Sequence, residues 1–250
     1  MGLRLVVGLV FCAVFSQVRA QAVSVAEQYL FQAANAERAS RGLPTLRWDA
    51  ALYRAAQGHS LEMARRESIS HQYPGEPELA ARGKSAGARF SLIAENVAEA
   101  QTAVRIHDAW MNSPGHRANL LDPHVDAVGI SVRSRNGQLY AVQDFERAVE
   151  SLTLEQQEQA VGRLVAAAGP VAILPADEGA RRTCAQSTGF AGARQPMFVM
   201  RYTSGDLLRI PDALKVRVAS GKYSEAAVGA CAGAGNQPFS TYSIAVLLYP

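Results

Sequence analysis

All five histidines of this chain fall between His59 and His124, whereas the two cysteines outside its leading apolar segment, Cys184 and Cys231, lie beyond residue 180. Imidazoles are thus confined to one stretch, and the thiols able to form a bridge to another. That separation reads as two units, and 250 residues are enough for both. Texture places the first unit at 24–148, a helical connector at 149–168 and a β-rich unit with one disulfide at 169–250, after a leader over residues 1–20.

The leader has the layout of a signal peptide. Arg4 supplies the positive start, Leu5 to Phe15 is nearly unbroken apolar sequence, and Val18-Arg19-Ala20 offers small or modest residues for cleavage near Ala20. The alternatives are a buried helix or an uncleaved anchor. The run is short for a bilayer span and no second one follows, so no transmembrane segment is expected. Cys12, preceded by Phe11, fits a lipid-attachment site poorly. The expected location is the periplasm or the extracellular medium. There Cys184 and Cys231 would form a disulfide, two buried thiols being the alternative. Such a bridge closes a loop of about 48 residues and typically stabilises by roughly 3–4 kcal/mol.

The formal charge of +3 includes Arg4 and Arg19, so the remaining 23 basic residues nearly balance 22 acidic ones. Nucleic acid and anionic membrane surfaces therefore have no electrostatic case as partners.

Helical and strand patterns alternate in the first unit. Tyr29, Leu30, Ala33, Ala34 and Glu37 form a helical stripe that stops at Gly42-Leu43-Pro44. Asp49 is an N-cap for a second helix with Leu52, Ala56, His59 and Met63 on one face. On that apolar stripe His59 reads as a hydrogen-bonded core histidine. Residues 72–90 read as a long polar loop and 94–111 as an alanine-rich helix. Ser113-Pro114 restarts a helix, with proline at its first position. Val128 to Val132 and Leu139 to Phe145 predict two strands joined by a turn at Arg135-Asn136-Gly137.

Leu152, Leu154, Val161, Leu164 and Val165 approximate a helical face in the connector. Beyond Gly169-Pro170, the runs Met197 to Tyr202, Leu207 to Ile210, Lys215 to Val218 and Tyr242 to Tyr249 predict short strands of a small β-sandwich or barrel. No internal repeat stands out.

Four ordered segments carry a family resemblance. They are Asn35-Ala36-Glu37-Arg38 with Gly42-Leu43-Pro44 and Leu46-Arg47-Trp48-Asp49; Ser70-His71; Ala94-Glu95-Asn96-Val97-Ala98; and Trp110 through Leu121. Together with the two strands that follow, these resemble the CAP family of cysteine-rich secretory and pathogenesis-related proteins in its bacterial form, over about half the chain. The resemblance implies an α+β fold, an α-β-α sandwich around a cleft, here followed by the small β-rich domain. It also implies that His71, Glu95 and His116 line the cleft, with His71 and His116 as metal ligands and zinc as the metal. Imidazole and carboxylate suit that role. Asn112 and Ser113 stand where many members have a second glutamate, and residues 21–148 hold no cysteine.

No catalytic residue is assigned. Ser70 lies beside His71, but the Gly-x-Ser-x-Gly element of a serine hydrolase is absent. Glu95 has two readings, a helix-start carboxylate supporting the fold or a functional group. His107 is expected on a helix surface and His124 in a loop. Asn35, Arg38 and Asn119 are expected to hold loops and helix ends, and Trp48 and Trp110 to be core aromatics. The leading expectation is a non-enzymatic exported protein binding a small molecule, lipid or divalent metal. The alternatives are a metal-assisted extracellular hydrolase with Glu95 as general base, and an extracellular scaffold that engages a protein partner through its second unit.

Overall fold

The computed structural model describes residues 23–233 and 239–250. The signal-peptide reading and Cys12 lie outside the described residues. The first unit runs α1 (Val25–Ala39), β1 (Arg47–Trp48), α2 (Ala50–Arg66), α3 (Leu79–Ser85), β2 (Phe90–Ala100), α4 (Ala103–Asn112), α5 (Pro114–Leu120), β3 (Ala127–Arg135) and β4 (Gln138–Ala148). Its sheet has the order β1-β3-β4-β2, with β1 parallel to β3 and the other pairs antiparallel.

Local chemistry starts these elements and burial fixes their faces. Ser24 and Glu27 form a reciprocal capping box on α1. Glu27 also accepts the Val132 amide of β3 at 3.0 Å, which anchors the helix to the sheet. Asp49 caps α2 by accepting from Ala51 and Leu52. The expected stripe of Leu52, Ala56, His59 and Met63 is completely buried. Burying an aliphatic side chain of this size contributes about 1.5–3 kcal/mol. Leu30, Ala34, Ile106 and Trp110 cover the opposite sheet face with Val128, Ile130 and Phe145. Asn136 and Gly137 both take positive φ, as the β3–β4 hairpin turn requires.

Two expectations for this unit are corrected. The stretch read as a helix over 94–111 is strand β2 up to Ala100, with α4 starting only after the Thr102 cap. Glu95 is therefore not a helix-start carboxylate. Alanine's helix propensity is a weak prior, and ten register pairs with β4 override it. The 72–90 loop is interrupted by α3, which the Gly and Pro content around it concealed.

The second unit runs α6 (Leu154–Ala168), β5 (Ala172–Ile173), α7 (Glu178–Ala185), β6 (Phe198–Ser204), α8 (Asp212–Ala219), β7 (Glu225–Cys231) and β8 (Tyr242–Tyr249). It is a sheet domain, but with one four-stranded sheet, order β5-β7-β8-β6, flanked by helices rather than a sandwich or barrel. Lys215 to Val218 lies in α8, where Leu214 and Val218, one turn apart, are both fully buried. The alternation Lys-Val-Arg-Val imitates a strand over four residues. Leu207 to Ile210 belongs to no strand. Within the stretch read as a connector, α6 contributes Val161 and Val165 to this unit's core. Cys184 and Cys231 form the expected disulfide.

The units touch where β2 begins and β4 ends. Ser240 N–H donates to the Phe90 carbonyl at 2.7 Å, Phe239 meets the Phe90 ring edge-on, and Arg147 pairs with Asp206 at 2.7 Å. Glu146, near the end of β4, is 1% exposed and its Oε2 has no partner. Burial, then the negative charge of Asp49, push its carboxyl up to about 8, with Asp126 adding and Arg47 opposing. The folded state thus holds a proton that the unfolded chain releases near the ordinary value of 4.5. Stability from this group is complete below that value and falls as pH rises through about 8. Glu146→Gln should raise stability at pH 8 by about 2–4 kcal/mol and leave it nearly unchanged at pH 4, as read by urea unfolding at both pH values.

Candidate functional site

The candidate site forms where the loop after α2, the middle of β2 and the start of α5 converge. Glu95 points from β2 with its side chain only 3% exposed. Its Oε1 accepts from His71 Nδ1 at 2.9 Å, and its Oε2 accepts from the Arg82 guanidinium. Arg82 also donates to the carbonyls of His71 and Pro77, at 3.2 and 3.1 Å. One buried arginine thus fixes both the carboxylate and the backbone of the loop that carries His71. The His71 side chain, in contrast, is 60% exposed, which leaves its Nε2 side open to solvent.

His116 lies on α5, half-buried. A side-chain ladder holds this helix to the sheet. Asn96 donates to the His116 carbonyl at 3.0 Å and to Gln143 at 3.3 Å, while Asn119 donates to Asn96 Oδ1 at 3.0 Å and to the Glu95 carbonyl at 3.2 Å. Asn35 and Arg38 bind the carbonyls of Leu46, Pro44, Leu120, Asp122 and Val125. The expected holding roles of Asn35, Arg38 and Asn119 are thus met.

The two imidazoles are driven apart electrically. The hydrogen bond to Glu95 raises His71 above the ordinary histidine value, and the Glu95 charge adds to this against burial. Burial, then the charge on His71, lower His116. One face therefore presents two imidazoles of unequal proton affinity, His71 holding its proton more tightly than His116. Beside Glu95, directly across the β2–β4 pair, Asp144 is completely buried. Burial first, then the Glu95 charge, hold the Asp144 carboxyl well above its ordinary range.

The remaining histidines divide as their surroundings dictate. His59 is fully buried, with Nδ1 against Glu76 Oε1 at 2.6 Å and Nε2 against the Ser70 carbonyl at 2.7 Å, so both ring nitrogens are engaged structurally. His124 is an exposed loop residue. His107, expected on the surface, is 7% exposed and lies 3.8 Å from Glu37. Its place between α1 and α4 was hidden by the polar residues that neighbour it in sequence. Trp110 is a core residue, and Trp48 packs between Phe31 and Tyr53.

The structure brings His71 and Glu95 into contact and adds Arg82 and Asp144 beside them, which no sequence motif marked. Arg82 sits in the segment read as loop, and nothing in Ala81-Arg82-Gly83 marks a buried charge. Asp144 carried the one available signal, an acidic residue inside a β-patterned apolar run. A groove of about 680 Å³ between α2 and the 74–86 segment is lined by His59, Glu76 and Arg82, not by His71, Glu95 or His116. The histidine pair therefore lies outside that groove.

Residues 31–145, from α1 to the core Phe145 of β4, match the model of the cysteine-rich secretory protein (CAP) family. The first unit is a CAP domain. Over 109 residues the chain is 35% identical to the Bacillus subtilis protein YkwD, covering 43% of this chain and 42% of YkwD. It is 29% identical over 126 residues to the B. subtilis membrane protein YlbC, covering 49% of this chain and 34% of YlbC. The matches thus span well under two thirds of either relative. An extracellular SCP-domain protein from Bacillus anthracis matches at 32% identity and TM-score 0.46, covering 49% of this chain and 40% of that one. An outer surface protein from Borrelia burgdorferi matches at 20% identity and TM-score 0.47, covering 51% of this chain and 96% of that one. Among the described residues of this chain, no helix is long and apolar enough to cross a membrane.

A metal at the CAP domain's histidine pair would meet a short donor set. Among the described residues, no three His, Cys, Asp or Glu side chains are grouped to hold an ion. Both Glu95 oxygens are already bound, so the carboxylate fits the outer role of orienting a ligating imidazole rather than ligating itself.

Proposed function

We propose that the CAP domain is an exported binding unit that holds a small polar ligand, or a weakly bound divalent metal such as zinc, between His71 and His116. The carrying observation is the state of Glu95. Its two oxygens fix His71 and Arg82, which orients an imidazole toward solvent and leaves no free carboxylate there. Two imidazoles of unequal proton affinity side by side suit a ligand that both accepts and donates a hydrogen bond. A metal would be held by His71 Nε2 and the His116 ring, and when bound would polarise a coordinated oxygen. Because His71 must give up its proton to ligate, zinc affinity should rise with pH.

The hydrolase reading needs Glu95 as a general base, and a carboxylate bound at both oxygens is poorly placed to take a proton from water. Export is supported by the signal-peptide layout of the leader and by a disulfide of the kind that persists in oxidising compartments. Calorimetric titration of the full chain with zinc chloride at pH 8 tests the metal arm. His71→Ala and His116→Ala should each weaken binding by at least about tenfold, and Glu95→Gln by about tenfold through lost orientation. Equal binding by all four proteins would remove the histidine pair from the reading.

A further inference from the structure

We infer that residues 153–249 are a second, degenerate copy of the CAP fold that keeps the framework and has lost the polar site. The chain then carries one site, in its first unit. Element order is the first observation. From α6 to β8 the second unit runs helix, strand, helix, strand, helix, strand, strand, which is the order of the first unit once α3 and α5 are set aside. Sheet order β5-β7-β8-β6 repeats β1-β3-β4-β2, and among the described residues the one parallel pair of each sheet occupies the same edge in both. Many α+β topologies are available to a four-stranded sheet, so agreement in order and direction is a demanding match.

Packing and hydrogen bonds agree independently. α6 and α8 cover one sheet face, as α1 and α4 do, and α7 covers the other, as α2 does. Both first helices begin with a capping box, Ser24/Glu27 and Thr153/Gln156. In each, a buried glutamate reaches across to a strand amide: Glu27 to Val132 and Glu158 to Ala230, both at 3.0 Å. Counting from the parallel pairs Trp48↔Val128 and Ile173↔Ala226, Val132 and Ala230 are the same position. Each unit also brings a helix onto its third strand through a glycine, two positions further along the strand in the second unit than in the first. A Cβ on Gly129 would lie 2.1 Å from Tyr53 N, and one on Gly229 2.1 Å from the Ala180 carbonyl carbon. Tyr53 and Ala180 stand at the same first turn of α2 and α7, after the caps Asp49 and Asp177.

The same register shows what was lost. Glu95 and Asp144 face each other across β2–β4, and their counterparts across β6–β8 are Val199 and Leu247. Asn96 and Gln143 become Met200 and Val246. No histidine occurs after His124. At 8 residues, α7 is less than half the length of the 17-residue α2, and the Cys184–Cys231 bridge ties its end to β7. A covalent tie there replaces the packing that α2 gains from its extra turns. Shortened elements and replaced residues also explain why no repeat is visible in the sequence.

Residue-resolved NMR on the full chain tests both halves of this inference, which does not rest on the metal reading. Backbone contacts in the unmodified protein should link Ile173 to Ala226, Ala226 to Leu248 and Leu248 to Phe198. Glu27→Gln should speed amide exchange at Val132 at least tenfold with little change at Ala230, and Glu158→Gln should do the reverse. A different strand order, or an Ala230 amide that ignores Glu158→Gln, overturns the copy. If Glu158→Gln fails to fold, the backbone contacts alone decide. Zinc chloride should shift resonances only within residues 24–148. Shifts centred on Val199, Met200, Val246 or Leu247 overturn the loss of the site. No shift anywhere upholds that loss and overturns the metal reading alone.

Discussion

Gly129→Ala should destabilise the CAP domain by at least about 3 kcal/mol, the upper end of what overpacking costs, because the added carbon meets backbone rather than a side chain that could swing aside. The new Cβ would sit 2.1 Å from Tyr53 N and 2.3 Å from the Leu52 carbonyl carbon. Helix α2 would have to lift off the sheet, and it carries Leu52, Ala56, His59 and Met63 into the core. Domains of this size are stable by only about 5–15 kcal/mol, so the loss is a large part of the whole. Trp48 and Trp110 are the only tryptophans and both lie in this domain, so their fluorescence during urea unfolding reads it selectively. Gly115→Ala is the control. Nothing lies within 4 Å of its Cβ, and in the helical start of α5 it should be neutral or stabilising by up to about 1 kcal/mol. A midpoint for Gly129→Ala equal to wild type would mean that α2 does not approach the sheet as described.

Gly129 also shows where sequence reasoning stops. The strand around it was legible because Val128, Ile130 and Val132 alternate with smaller residues, but that this glycine admits a helix follows only from tertiary contact. The same division runs through the site. His71, Glu95 and His116 could be named because short local motifs carry them. Arg82 could not, because its significance lies in reaching Glu95 from thirteen positions away, a distance that no helical or strand period encodes. Residues 94–100 misled for a related reason. Alanine-rich sequence suits a helix in isolation, and only pairing with β4 makes it a strand. In the second unit, α8 was mistaken for a strand because its polar face alternates, while the turn-spaced pair Leu214 and Val218 spans too few residues to stand out.

Glu95→Leu should cost the CAP domain about 3–5 kcal/mol, since it leaves the Arg82 guanidinium buried without its carboxylate. The same change should drop His71 toward its ordinary value, because the hydrogen bond that raises it is gone. Urea unfolding gives the first quantity and an NMR titration of the His71 ring gives the second; an unmoved His71 would remove Glu95 as its partner. The opposite result is expected when the whole buried set is replaced. Asp144 is costly on its own terms, a completely buried acid beside a negative charge. Combining Glu95→Val, Asp144→Leu and Arg82→Met removes these three ionisable groups together, while His59, 3.9 Å from Glu95, keeps its bond to Glu76. The combination should recover much of the stability that Glu95→Leu loses, as apolar replacement of buried ionic groups often does. The second unit already carries Val199 and Leu247 at the matching strand positions and packs them into its α7-facing core. A framework that folds with an apolar row there does not need Glu95, Asp144 and Arg82 in order to fold. What Glu95 and Arg82 add in the CAP domain is the hold on His71, Glu95 at its ring and Arg82 at its backbone carbonyl.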